Sequence, residues 1–238
     1  ALLTGKEKYC LRLSEIRFDK RKAVGILQIG IPSAFQYSLF AFANLFVQSS
    51  VNSFDHVLVE GNSAAANADP LVYDMMAAFY TACSSFIAQN FGARKKKRIL
   101  QTYLICLFYS FITSLVLGVG IYLARYPFLY LFTSDKAVVE AGITRLSIMA
   151  LSYSASAFMD ASIAASRGLG KTAVPTFVVV MGSCVFRIIW IYTIFAYFHT
   201  IQSLYILYVF SWGITAIAEN IYFFHVYRHT LTEKKELC

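Results

Sequence analysis

Charge is scarce in this chain. Only 14% of its 238 residues are Asp, Glu, Lys or Arg, while 58% are hydrophobic and the mean hydropathy is +0.58. Soluble domains carry roughly 25% charged residues, so a water-soluble core is excluded. Paired cysteine spacing is missing as well. Cys10, Cys83, Cys106, Cys184 and Cys238 are scattered, and three of them lie inside apolar blocks, which indicates neither a disulfide framework nor a zinc site. The sequence holds no H-E-x-x-H, no G-x-S-x-G and no glycine-rich phosphate loop, so no catalytic or metal-binding signature points to an enzyme. His225 and His229 have a metal-compatible i, i+4 spacing but bring no further ligands with them. The charged amino-terminal stretch lacks the short apolar core of a signal peptide, and the final KKELC is neither a prenylation box nor a retention signal.

The apolar residues come in long blocks. Six are long enough to cross the ~30 Å hydrocarbon slab at about 1.5 Å per residue: Ala23 to Val51, Pro70 to Phe91, Ile99 to Ala124, Val138 to Ser166, Thr172 to Phe198 and Ile201 to Tyr227. Each is solidly apolar, whereas the strands of a membrane barrel alternate over about 10 residues. The expected fold is therefore all-α, a polytopic six-helix transmembrane bundle in a lipid bilayer. Residues 1–22 read as a basic amphipathic cytoplasmic segment, residues 23–228 as the membrane domain and residues 229–238 as a cytoplasmic tail.

The net charge of +8 does not indicate nucleic acid, because the Lys and Arg residues sit between apolar blocks instead of spreading over one face. They alternate with the spans. Seventeen of the 21 lie before the first span, at Arg94–Arg98, at Arg167 and Lys171, or after the last span. Arg125 and Lys136 lie on the other side, and Arg145 and Arg187 fall within spans. The positive-inside rule then places both termini in the cytoplasm of a multi-pass plasma-membrane protein.

Two irregularities are expected in the spans. Asp69-Pro70 is a helix-start signature, so the second helix begins there or begins nearer Glu60 and kinks. Gly25, Gly30 and Pro32 favour a bend in the first span.

An ionisable side chain in hydrocarbon costs at least ~2.5 kcal/mol on insertion scales, which makes each one a functional candidate. Helical rise puts Asp160 about 10 Å, Glu219 about 12 Å, Arg187 about 22 Å and Asp74 about 25 Å from the cytoplasmic ends of their spans. Depth matching suggests a structural ion pair between Asp74 and Arg187, and a cation- or proton-coupling site at Asp160 and Glu219, where burial favours the neutral acid. With only Arg187 basic at depth, the charge balance leans toward cationic substrates. Gln36, Tyr37, Ser38, Asn44 and Gln48 fall partly on one face of the first helix. They line a cavity or bond neighbouring helices. Trp190 and Trp212 read as lipid-facing or belt residues.

Five stretches carry a resemblance to a known family: ILQIGIPSAFQYSLFAFANLFVQSSVNSF from Ile26, GNSAAANADPLVY from Gly61, FIAQNFGARKKKRI ending at Ile99, MDASIAASRGLGKTAVP from Met159 and SCVFRIIWIYTIF from Ser183. The chain resembles the multidrug and toxic compound extrusion (MATE) family, within the superfamily that also holds lipid-oligosaccharide flippases. The resemblance implies the second six-helix lobe of a twelve-helix transporter, with the amino-terminal lobe supplied by the same chain or by a second subunit. It implies exchange of organic cations for H+ or Na+ by rocking of the lobes, with no cofactor. Phe40 stands where many members carry an acid. Ser156 stands where the sodium-coupled branch carries one, and Asp160 follows one turn later on the same face, which makes Asp160 the preferred coupling residue and Ser156 a cavity residue. Asp55 and Glu60 stand where small residues are usual.

The alternating charge gives a direct expectation. Cysteines introduced at Lys95 and Lys136 should be labelled by an impermeant maleimide from opposite sides of a sealed vesicle. Labelling of both from one side would contradict the topology.

Overall fold

A computed structural model describes residues 19–230, and the segment 1–18 and the end of the tail lie outside the described residues. Six helices of membrane-crossing length and composition are present: Lys20–Val51, His56–Gly92, Lys96–Leu123, Lys136–Gly168, Ala173–Phe198 and Ile201–His229. They match the apolar blocks to within a few residues, except at the start of the second span. Consecutive spans run in opposite directions. Lys96 Nζ donates to the Arg228 carbonyl at 3.0 Å, so the Arg94–Arg98 loop and the end of the last helix share one end of the bundle. Phe54 packs on His199 at the other end, with ring centroids 5.5 Å apart.

The first span, α1 (Lys20–Val51), is capped by the Asp19 carboxylate, which accepts from the Arg21 and Lys22 amides, and it continues as helix through Pro32. The second span is two helices, α2 (His56–Ala66) and α3 (Ala68–Gly92), interrupted at Asn67. Asp55 caps α2 through a bond from the Leu58 amide. Asp69-Pro70 is thus not the start of the span. Pro70 has no N–H to give to Ala66, and its ring crowds that carbonyl, so the helix breaks one turn before it. The Asn67 amide bridges the gap by donating to the Ser63 and Ala64 carbonyls.

The third span is α4 (Lys96–Leu123), followed by a short α5 (Arg125–Tyr130). The fourth, α6 (Lys136–Gly168), is the axis of the bundle and is buried for most of its length. Its mean hydropathy is 1.2, against 2.3 for α4. That ordering follows from its surroundings: α4 presents Leu104, Ile105, Phe108 and Val116 to lipid, whereas α6 is mostly surrounded by protein, with Leu151 and Phe158 among its few exposed side chains, and is rich in Ser and Ala. Small residues let backbones approach in the absence of a hydrophobic drive between helices. A Cβ on Gly118 of α4 would collide with the Ala150 carbonyl of α6, and one on Gly61 of α2 would meet Ala141 and Gly142 at 2.7 and 2.8 Å.

The fifth span alternates α and π geometry. Here α7 (Ala173–Val179), α8 (Phe186–Trp190) and α9 (Ala196–Phe198) are separated by π-helical stretches at Val180–Val185 and Ile191–Phe195. The sixth span is α10 (Ile201–His229), which packs along α6.

Close approach at Gly118 has a testable consequence. Gly118→Ala should lower the thermal midpoint in detergent, at the scale of about 1–3 kcal/mol seen for overpacking. Gly120→Ala, where a Cβ meets nothing within 4 Å, should not. Equal midpoints for both variants would show that α4 and α6 are not in contact there.

Candidate functional site

Between α1, the α2–α3 pair, α6, α7 and α10 lies a cavity of about 580 Å³. Most of α1 is exposed and apolar, with Ile26, Leu27, Ile31, Phe35, Phe42 and Leu45 all more than half exposed. Its inward face is held by three polar side chains at three levels. Gln36 Oε1 accepts from Arg167 Nη2 at 2.9 Å, Asn44 Oδ1 accepts from Arg187 Nη1 at 2.7 Å, and Gln48 Oε1 accepts from Asn62 Nδ2 at 3.5 Å. The two roles expected of the polar face of α1 are thus combined, because Gln36, Asn44 and Gln48 line the cavity and bond other helices. Tyr37 also lines it. Ser38 is exposed and bonds back to the Ala34 carbonyl.

At the level farthest from the Arg94–Arg98 end, Arg145 joins the broken second span to α6. Its Nη2 meets Asp69 Oδ2 at 2.5 Å and its Nη1 donates to Asn62 Oδ1 at 2.7 Å, while the Tyr153 hydroxyl donates to Asp69 Oδ1 at 2.5 Å. Arg145 is 7% exposed and the Asp69 side chain 24%, so the pair is shielded on the arginine side and faces the cavity on the other. At the middle level the Arg187 guanidinium lies over the Phe40 and Tyr208 rings, 4.6 and 4.5 Å from their centroids. Nearest the basic end, Arg167 Nη1 donates to the Tyr80 hydroxyl at 2.6 Å, and Asp160 stands in the same wall.

The expected ion pair of Asp74 with Arg187 is not formed. Asp74 is exposed on the outer face of α3, and Arg187 is fully buried against α1 and α10. Their depths match, but their directions do not. The outer face of α3 that carries Asp74 also carries Ala78, Thr81 and Ser85, opposite the buried Val72, Met76, Cys83 and Ile87.

Asp160 and Glu219 are likewise not a pair. Asp160 lines the cavity with Ser156, whereas Glu219 is 0% exposed and lies outside the lining, with neither carboxylate oxygen hydrogen-bonded among the described residues. The opposite charge acting on each acid is the same Arg167 guanidinium. Among the described residues no hydrogen bond or salt bridge engages the Asp160 carboxylate, since Arg167 directs both terminal nitrogens to Gln36 and Tyr80. Asp69, by contrast, is held by two partners.

Several cavity residues escaped sequence reasoning. Arg145 and Arg167 line the cavity, so Arg187 is not the single basic group at depth, and the acidic charge balance expected from the sequence is not found. From the sequence, Asp69 marks either a helix start or a kink in a helix begun nearer Glu60, and Arg167 falls in the loop after the fourth span. A second helix begun at Asp55 would have put Asp69 about 20 Å below its outer end, within reach of Arg145. Trp212 forms part of the cavity wall and Trp190 is buried with its Nε1 donating to the Ser203 carbonyl at 3.0 Å, so neither belongs to a lipid-facing belt. His225 and His229 are exposed near the end of α10, and no group of three metal-ligating side chains occurs among the described residues.

Comparison with known proteins bears on this geometry. The MatE family model matches residues 32–193. An outward-facing multidrug resistance MATE family transporter of the MOP superfamily superposes with a TM-score of 0.85 at 19% identity, covering 96% of this chain and 52% of that one. A MOP superfamily transporter from Pyrococcus furiosus, described as having a binding pocket of reversed polarity, gives 0.83 at 18% identity, covering 92% and 50%. The MATE transporter ClbM in complex with Rb+ gives 0.78 at 18% identity, covering 84% and 47%. The chain thus spans about half the length of these structures. Among curated proteins no relative matches.

Removing Arg145 leaves Asp69, whose side chain is 24% exposed, with only the Tyr153 hydroxyl, so the cost lies between that of a surface pair, about 0–1 kcal/mol, and that of a fully buried one, about 3–5 kcal/mol. Arg145→Met should therefore lower the thermal midpoint, and adding Asp69→Asn should recover much of the loss. Additive destabilisation in the double variant would show that the two residues do not interact.

Proposed function

The chain belongs to the MatE family, and from that premise we propose that it is one six-helix lobe of a secondary active transporter whose movement is coupled to a cation at Asp160. The observation that carries this reading is the unengaged carboxylate of Asp160 in the cavity wall, beside an Arg167 already bonded elsewhere. A free acid at membrane depth binds H+ or Na+ and changes the local charge by one unit. In low dielectric that change acts strongly on a neighbouring guanidinium. When Asp160 is charged it draws Arg167 toward itself and away from Gln36 and Tyr80. When it is neutralised, Arg167 returns to them. Because Gln36 belongs to α1 and Tyr80 to α3, the occupancy of Asp160 biases how α1 sits against the bundle, which is the differential contact that alternating access requires. Glu219 is an accessory acid acting on the same arginine.

The other, amino-terminal lobe, in the same chain or another, covers the outer face of α3. An exposed carboxylate at the middle of a span is costly against lipid. Asp74 with Thr81 and Ser85 therefore suits a face turned toward protein and water. The basic end of the bundle is cytoplasmic, by the distribution of Lys and Arg. Amphipathic organic cations are the substrate class, received against Tyr73, Tyr80, Tyr208 and Trp212 in the cavity wall. A second reading, a flippase or exporter of lipid-linked oligosaccharide, draws support from Arg145, Arg167 and Arg187, which suit anionic headgroups.

The test is ion-driven dye efflux by the full-length transporter. Asp160→Asn should reduce the rate by at least about tenfold, the scale of a lost charge-specific interaction of ~1.4 kcal/mol or more, and should abolish its dependence on the ion gradient, with Asp160→Glu retaining part of both. Transport by Asp160→Asn equal to the parent at every pH and Na+ concentration would remove Asp160 from the coupling step.

A further inference from the structure

Arg187 is the one cavity-side arginine whose charge meets no acid. Arg145 is matched by Asp69, and Arg167 has Asp160 and Glu219 within electrostatic reach. The groups acting on Arg187 are the Tyr208 and Tyr73 hydroxyls and the Cys184 thiol, with no carboxylate among them. It is 0% exposed, and its Nε and Nη2 have no hydrogen-bond partner among the described residues. A guanidinium in hydrocarbon with two donors unmade is costly unless something anionic completes it. The surrounding backbone is irregular too, since Arg187 occupies a single α-helical turn between two π-helical stretches, a distortion frequent at functional sites. Phe40, Asn44 and Tyr208 touch the guanidinium on one side and line the cavity on the other.

We propose that Arg187, with Asn44, forms a subsite for a monovalent anion directly behind the cavity wall made by Phe40, Asn44 and Tyr208, and that its ligand is a carboxylate of the transported molecule. This rests on the reading of the cavity as a substrate site. One guanidinium with no second cation beside it neutralises one negative charge, so a dianion would leave an uncompensated charge in low dielectric. The planar N–H edge at Nε and Nη2 fits two carboxylate oxygens. Helical rise separates Arg187 from Asp160 by about 12 Å in depth. A zwitterionic substrate of that length meets the acid with its ammonium group and the arginine with its carboxylate.

The experiment uses the purified full-length transporter in detergent and follows anion binding by isothermal titration calorimetry. In a sulfate buffer of fixed ionic strength, propionate, chloride and neutral propionamide are titrated. Propionate should give a saturable change and propionamide none. Chloride serves as the alternative source of the same charge. A preference for propionate supports the carboxylate assignment, and a preference for chloride overturns it in favour of a co-transported halide at the same monovalent-anion subsite. Arg187→Gln should weaken the apparent affinity at least tenfold. Asn44→Ala, which frees Nη1, should tighten it several-fold, and it decides the matter if Arg187→Gln does not fold. No saturable response to either anion, an unchanged response in Arg187→Gln, or an unchanged affinity in Asn44→Ala overturns the proposal. Asp160→Asn should keep the anion response, so a missing anion response in the parent rejects the subsite alone, and full transport by Asp160→Asn rejects the coupling reading alone.

Discussion

A charge inside the membrane has nothing to hydrogen-bond except the protein around it, and the arrangement of this bundle follows from that constraint. Arg145, Arg167 and Arg187 point inward to one cavity or lie directly behind its wall, and each has at least one oxygen acceptor there. The acceptors come from different helices, so satisfying the arginines also ties the helices together. This matters most for α1, whose outer surface is apolar and exposed while its inner surface is attached through Gln36, Asn44 and Gln48. Helices joined by a few polar clasps, with no hydrophobic drive between them, are suited to moving when one clasp changes its charge.

The fold was legible in the sequence because lipid imposes a simple rule. Twenty apolar residues make a span, and basic clusters fall between spans, so six helices and their alternation could be read directly. The break in the second span was less legible. Asp69-Pro70 has the composition of a helix start, but Asp69 is drawn into a pair with Arg145 and Pro70 sits in the first turn of α3, downstream of the interruption at Asn67. The signature does mark a helix start, that of α3 at Ala68, but α2 precedes it in the same span, so the alternative of an earlier start with a kink describes the span as a whole.

The candidate site was legible in part, and the reason is geometric. Counting residues gives depth but not direction. Asp74 and Arg187 share a depth, yet Asp74 points away from the bundle, and Asp69, five residues earlier and roughly 140° around the helix, points inward. The same limit separated Asp160 from Glu219, since one lines the cavity and the other lies behind it. The spacing of polar residues on α1 succeeded, because a face of one helix is a statement about direction as well as depth. Arg167 lies at the end of α6, where sequence counting assigns it to the loop, and its long side chain carries the guanidinium back into the cavity.

The central claim is that, of the two aspartates in the cavity wall, Asp160 is free to exchange its charge and Asp69 is locked to Arg145. Difference infrared spectroscopy of the full-length protein in lipid tests it most directly, by following carboxyl bands as pH or Na+ is varied. The account predicts a responsive carboxyl band that disappears in Asp160→Asn and persists in Asp69→Asn. A band that survives Asp160→Asn and is lost with Asp69→Asn would contradict it.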